Sequence, residues 1–164
     1  MKKTLILLLL ILILFSGCSK ENDLEQPVNL YYLKSDFAFG DSDALFEKVQ
    51  VESAGISFKT ILEQYFERTA TETARSPFPA GTKMIRTEIT ADTLIILMNR
   101  NYGSLTDLDL TLANACLYLT CSELTGKNRI QILIDGTPPE ENNGILLTPE
   151  NIIFFDQQAS LNTD

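Results

Sequence analysis

Leu5 to Phe15 is an unbroken run of eleven apolar residues, set between Met1-Lys2-Lys3 and Ser16-Gly17-Cys18. A basic start, a short apolar stretch and small residues at a cleavage point make an export signal. A helix crossing a bilayer needs about 20 apolar residues, so this run is too short to span one. The consequence for folding is direct. Whatever domain the chain builds must come from the residues after 17, outside the compartment of synthesis. Removing residues 1–17 from 164 leaves 147, enough for one domain with a core of its own.

The ending Phe15-Ser16-Gly17-Cys18 resembles the bacterial lipobox, in which the cysteine thiol is acylated and the chain is cut just before it. Phe stands at a position where Leu is more usual. The plainer readings are an ordinary secretory signal beside a chance cysteine, or an uncleaved anchor. Lipidation at Cys18 implies a palmitate-type lipoprotein held at a membrane surface. Each buried acyl CH₂ contributes about 0.8 kcal/mol, and stable anchoring takes more than one chain.

The full chain carries 13 Lys+Arg against 22 Asp+Glu, and loss of Lys2 and Lys3 on cleavage takes the net charge to −11. Nucleic-acid binding, which rests on Lys and Arg neutralising phosphates, is disfavoured. Broad contact with anionic lipid headgroups is disfavoured too, which leaves the anchor as the strong membrane contact. The chain contains no His and no Trp. Ser–His and Cys–His catalysis and His-based zinc sites are therefore excluded. With Cys18 lipidated, Cys116 and Cys121 remain. Five apart on a helix, their Cα atoms lie roughly 8–9 Å from each other, beyond the reach of a disulfide. They read as buried or half-buried free thiols.

Ser19 to Pro27 is polar and charged and ends in proline, so residues 18–27 form an anchored tether. It reaches about 30 Å at most. Residues 28–156 form one domain and 157–164 a tail. Val28 to Leu33 is apolar on both faces and reads as a central strand. Leu45 to Val51 alternates as a half-buried strand, and Ser57 is placed to cap a helix carrying Phe58, Ile61, Leu62 and Tyr65. Thr69 to Gly81 holds Pro77 and Pro79 and reads as a loop. Lys83–Thr90 and Thr93–Met98 form a hairpin turning at Ala91-Asp92. Ser104 to Asp107 has the spacing of a capping box with Asp in place of Glu. The helix after it shows a stripe of Leu108, Leu112, Ala115, Cys116 and Leu119, closed by Gly126. Asn128–Ile134 is a strand, and Ile152-Ile153-Phe154-Phe155 a candidate edge strand. The order β-β-α-β-β-α-β predicts an α+β two-layer sandwich, a mixed sheet of about four to five strands with two helices on one face.

Taken in order, these segments resemble the GerMN domain of sporulation and spore-germination lipoproteins. The resemblance is carried by the lipobox, Val28-Asn29-Leu30-Tyr31-Tyr32, Pro79-Ala80-Gly81-Thr82-Lys83, Leu110 to Cys116 leading to Leu119-Thr120, and Ile130 to Gly136. Asn99 stands where a serine often follows the second hairpin strand. The resemblance implies a fold similar to the ring-building motifs of sporulation channel proteins and a non-catalytic role in assembling the cell envelope. It further implies envelope proteins as partners, in a homo- or hetero-oligomeric ring, on the extracytoplasmic face of the bacterial cell membrane.

Candidate sites are few. Asp36 with Asp41-Ser42-Asp43 could offer oxygens to Ca²⁺ but lacks the rest of a calcium loop, and a solvated acidic loop is the simpler reading. Asp107 and Asp109 fit the favourable end of a helix dipole. Glu47 and Glu88 could be imagined as a glycan-cleaving pair, with scattered strand-surface acids as the default. Glu140-Glu141 reads as part of a flexible loop. Tyr31, Tyr32, Phe78 and Tyr102 are core or rim aromatics before they are a sugar platform. No cofactor, no metal and no catalytic residue is expected, and lipid attachment at Cys18 is the single assigned site. An interaction module ranks first. A peptidoglycan-binding module with a groove around Tyr102 and Thr69–Gly81 follows, and a carboxylate-only wall hydrolase comes last.

Overall fold

The computed structural model describes residues 24, 26–36, 45–68, 71–137 and 144–152. The leader, Cys18 and most of the tether lie outside them.

β1 (Val28–Lys34) and β2 (Phe46–Val51) pair antiparallel from Val28–Val51 to Leu33–Phe46. β1 buries Val28, Leu30, Tyr32 and Leu33, so it is central as its two-faced apolar pattern predicts. A third strand, β3 (Ala74–Arg75), joins only its far end, at Leu33–Arg75 and Lys34–Ala74. That short strand lies inside Thr69–Gly81, which the prolines mark as a loop. Ala74 and Arg75 precede the breaker cluster Ser76–Gly81 and are free to pair, so a short strand interrupts the expected loop just before its prolines.

The other strands form a four-stranded mixed sheet in the order β4-β5-β6-β7. β4 (Met84–Ile89) and β5 (Thr93–Met98) are the predicted hairpin, closed where Thr90 N–H donates to Thr93 O at 2.9 Å. β6 (Arg129–Ile134) runs parallel to β5, and β7 (Ile145–Leu147) antiparallel to β6. The α+β class is as predicted, with the strands divided between two hydrogen-bonded sets. The last strand among the described residues is β7, which was not expected from the sequence; the candidate strand Ile152–Phe155 falls almost wholly outside them. Ile152 is buried in a turn, and residues 153–155 lie outside the described region.

α1 (Phe58–Glu67) is capped by Ser57, whose Oγ accepts from Thr60 N–H at 3.3 Å. Its buried residues Phe58, Ile61, Leu62, Tyr65 and Phe66 make a single stripe. α2 (Asp107–Thr125) differs from its prediction at both ends of the reasoning. Leu108, expected in the stripe, is 39% exposed, while burial extends to Ala113, Leu117, Tyr118, Thr120, Cys121 and Leu124. The cause is position: α2 touches both β1 and β6, so it is covered on more than one side. Nor does a capping box form. Thr106 is the N-cap without a side-chain bond, Ser104 Oγ donates to Asn101 O, and Asp107 takes φ +49°. The predicted C-terminal glycine holds: Gly126 sits at φ +66° and its N–H donates to Ser122 O. One core joins both helices and both sheets, with Leu30, Leu62, Leu94, Ile96, Leu117, Ile130 and Ile132 essentially sealed from solvent. Burying each such side chain contributes about 1.5–3 kcal/mol.

Candidate functional site

Most aromatics that could have stacked on a sugar are inside. Tyr65 is fully buried and packs against Tyr32 at 5.0 Å, Phe66 at 5.5 Å and Phe78 at 5.3 Å between ring centroids. Phe78 continues the chain of rings to Tyr102 at 6.0 Å. Tyr102 has no exposed surface, and its hydroxyl donates to Asn114 Oδ1 at 2.7 Å. A groove built around Tyr102 is therefore excluded, because its ring is committed to the core. Burial also pushes the phenols up, Tyr32 to about 12, with Tyr65 and Tyr102 raised in the same direction. None of the three is poised to act as a base near neutral pH. Tyr31 alone stays half exposed, under the Lys48 ammonium.

The predicted acids do not converge. Glu47 lies on β2 and Glu88 on β4, in different sheets. Asp36 is exposed in the turn after β1, and Asp41, Ser42, Asp43, Glu140 and Glu141 lie outside the described residues, as does Cys18. Asp107 and Asp109 occupy the first turn of α2, as the dipole reading requires. Among the described residues no three His, Cys, Asp or Glu side chains are grouped to hold a metal. Cys116 and Cys121 are free, buried thiols, and desolvation pushes both well up, which keeps them protonated and unreactive.

Open depressions among the described residues accompany the core. One, about 220 Å³, is lined by Glu63, Phe66, Glu67, Thr82, Lys83 and Met84. Its two carboxylates stand one turn apart on α1 and are both exposed, whereas glycoside cleavage needs acids flanking the scissile bond from opposite sides. Another, about 240 Å³, lies between α2 and β7 and is lined mainly by Ile145, Leu146, Leu147, Ile152 and amide side chains.

The distinctive chemistry is at the strand edges. On β1 the odd residues turn their backbone groups away from β2. Leu33 meets β3, and Ser35 N–H donates to Thr73 O. Beyond the short β3, side chains take over. Tyr31 N–H donates to Thr120 Oγ1 at 2.9 Å, Tyr65 Oη donates to Tyr31 O at 2.6 Å, and Asn29 N–H donates to Glu123 Oε1 at 3.1 Å. At each of those positions on β1 at least one outward backbone group finds a partner, as a half-buried edge favours.

Among the described residues β4 is the edge of the larger sheet and has no such cover. Ladder bonds alternate along an antiparallel pair. Starting from the Thr90–Thr93 bond, those to β5 fall on Glu88 opposite Ile95 and Arg86 opposite Leu97. The backbone groups of Thr87 and Ile89 therefore face outward. Among the described residues no hydrogen bond from another element reaches them. A bulge between Met84 and Arg86 makes Ile85 the extra residue. Among the described residues the two most exposed large apolar side chains are both here, Ile85 at 49% and Ile89 at 42%. The sequence offered a weak signal for this edge, since M-I-R-T-E-I mixes charge and apolar side chains without a clean period of two. Asn99 clamps the strand's approach: it accepts from Lys83 N–H and donates to Gly81 O.

A family model described as "Germane: Sporulation and spore germination" matches residues 29–140. The first GerMN domain of the sporulation protein GerM from Bacillus subtilis superposes with a TM-score of 0.55 at 15% identity, covering 76% of this chain and 98% of that one. The tandem GerMN domains of the same protein match with a TM-score of 0.51 at 14% identity, over 81% of this chain and 49% of theirs. No curated protein matches the chain.

Proposed function

The chain belongs to the Germane family of sporulation and spore germination, and from that membership we propose that it is a non-catalytic interaction module of the bacterial cell envelope. In this reading Cys18 carries the lipid, residues 18–27 are the tether, and the folded domain works on the extracytoplasmic face of the membrane. It brings envelope proteins together during sporulation or spore germination. The family and the likeness to domains of a sporulation protein support the process. The basic-apolar leader ending in Ser16-Gly17-Cys18 supports the address. No helix among the described residues is long and apolar enough to cross a membrane, which fits attachment through a lipid.

The observation that carries the reading is the open β4 edge beside exposed Ile85 and Ile89. An uncovered strand edge with apolar side chains is a template for another chain. The dispersal of Glu47 and Glu88 and the burial of Tyr32, Phe78 and Tyr102 take support from the enzyme and glycan-binding alternatives.

The test is cross-linking of the tagged protein in the bacterium that makes it, through growth and into starvation, with mass spectrometry of what is captured. Discrete envelope proteins are expected with Cys18 intact and not with Cys18→Ala. Metabolic labelling with an alkyne fatty acid should mark the native chain and not the variant. Capture of wall fragments alone would sink the interaction reading and favour peptidoglycan binding.

A further inference from the structure

Resting on that interaction reading, we propose that β4 pairs antiparallel with β4 of a second copy of this chain, about a two-fold axis through Thr87. The strand reads Met84-Ile85-Arg86-Thr87-Glu88-Ile89. Turned on itself about Thr87, it sets Arg86 opposite Glu88 of the second copy and Ile85 opposite Ile89, each pair occurring twice. Thr87 faces its own copy. The most exposed apolar residues on the described surface thereby meet each other, and the strand's two charges meet their opposites. Neither Arg86 nor Glu88 has an ion-pair partner among the described residues.

The backbone selects the same register. Thr87 and Ile89 face outward, so residues with outward groups must face one another if the new ladder is to form. A Thr87–Thr87 pair exchanges both N–H···O bonds across the axis. The neighbouring registers of that parity centre on Arg86 or Glu88, placing like charges directly opposite. Both are penalised, leaving one register favoured by hydrogen bonding, charge and apolar contact together.

The pairing is isologous and closes on itself. It consumes the β4 edge, and the opposite edge of the sheet, β7, is only three residues long. Strand addition therefore stops at two copies along this direction. Two six-residue strands bury less than the roughly 1,200 Å² of a stable interface. Pairing is weak in free solution and is promoted when both copies are confined to one membrane surface, which raises their effective concentration.

The test uses the full chain in the producing bacterium. A hydrogen-bonded antiparallel pair sets Cα atoms about 5.5 Å apart, within disulfide range. Thr87→Cys should therefore give a covalent dimer under mild oxidant, well above the native chain, whose Cys116 and Cys121 are buried. Lys59→Cys, exposed on α1, serves as the control for random encounter. Adding Arg86→Glu to Thr87→Cys sets Glu against Glu twice and should slow dimer formation about tenfold. Adding Glu88→Arg as well should restore it, an outcome that lost folding or general surface charge would not produce. Equal cross-linking at Thr87 and Lys59, or no rescue by the double charge exchange, overturns the proposal. If envelope proteins are still captured by the native chain in that case, the interaction reading survives without self-pairing. If capture also fails, both fall.

Discussion

The edges of β1 and β4 pose the same problem to the fold and receive opposite answers. β1 outruns its neighbour β3 on one side, and β4 has no neighbouring strand on one side among the described residues. On β1 the shortfall left by the two-residue β3 is made up by Thr120 and Glu123 from α2 and Tyr65 from α1, bond by bond. On β4 nothing comparable is supplied by the described residues, although α1 lies against the strand. The contrast teaches that this chain has the means to seal an edge with helix side chains and does so where the edge borders its aromatic core. An edge left open in the same molecule is a surface with a use. It is also one that water, or a second chain, can satisfy at little cost to folding.

Proline separates the two sides of β4 with the largest effect. Glu88 sends its N–H into the ladder opposite Ile95, so Glu88→Pro should cost about 3 kcal/mol in denaturant unfolding. Thr87→Pro removes an outward N–H and should cost less than about 1 kcal/mol while abolishing pairing between copies. Equal costs at the two positions would mean that the ladder assignment is wrong. Next in size are Thr120→Val and Tyr65→Phe, which strip the partners from Tyr31 N–H and Tyr31 O. Each should cost about 1–3 kcal/mol, the range for a buried polar group left unpaired. Because both act on one peptide neighbourhood, the double variant should cost other than the sum.

How far this contrast was legible in the sequence depends on the range of the interaction. Ser57 and Gly126 announced their caps because a cap is set by a few neighbouring residues. The β4–β5 hairpin and the central position of β1 followed from local pattern as well. The sealing of β1 did not, since Tyr31 and Thr120 are 89 residues apart and no periodicity links them. α2 misled for the same reason. Its stripe of Leu108, Leu112, Ala115, Cys116 and Leu119 describes a helix with one buried side, whereas contact with two sheets buries Ala113, Leu117 and Tyr118 as well. The capping box failed through backbone geometry: Asp107 adopts positive φ and Ser104 turns back to Asn101. At the candidate site, charge and exposure on β4 could be read as residues, but not which side of the strand lacked a neighbour.

Alkaline pH probes the sealed side alone. Tyr32 lies on β1, and burial raises its phenol to about 12 against the Arg68 charge, which pulls the other way. A pKa higher in the folded state means that the folded chain holds its proton more tightly. The stability this contributes is complete below about pH 10 and is lost as pH rises toward 12. By pH 11 the loss should be about 1 kcal/mol. Tyr65 and Tyr102 shift in the same direction, so the measurement is the difference in slope between native and Tyr32→Phe. Identical slopes would place Tyr32 in a wetter site than its 3% exposure implies.

The smallest effect sharpens the comparison most, because it asks what sealing consists of. Glu123 accepts from Asn29 N–H at 3.1 Å, from Asn29 Nδ2 and from Tyr31 Oη at 3.2 Å. Thr120 accepts one bond, at 2.9 Å, two residues further along the same edge. Counting bonds would rank Glu123 above Thr120. Solvent reverses the order: Glu123 is exposed and Thr120 is wholly buried. When Glu123 is truncated to Ala, water can reach the freed Asn29 N–H, so the expected cost is about 0.5 kcal/mol. After Thr120→Val nothing replaces the hydroxyl. If calorimetry gives Glu123→Ala the larger loss, β1 is held by its hydrogen bonds as such, and the open edge of β4 must carry a real penalty in the single chain. If Thr120→Val costs several times more, the penalty comes from dehydration, and β4 stays open without cost because it remains wet until a partner arrives.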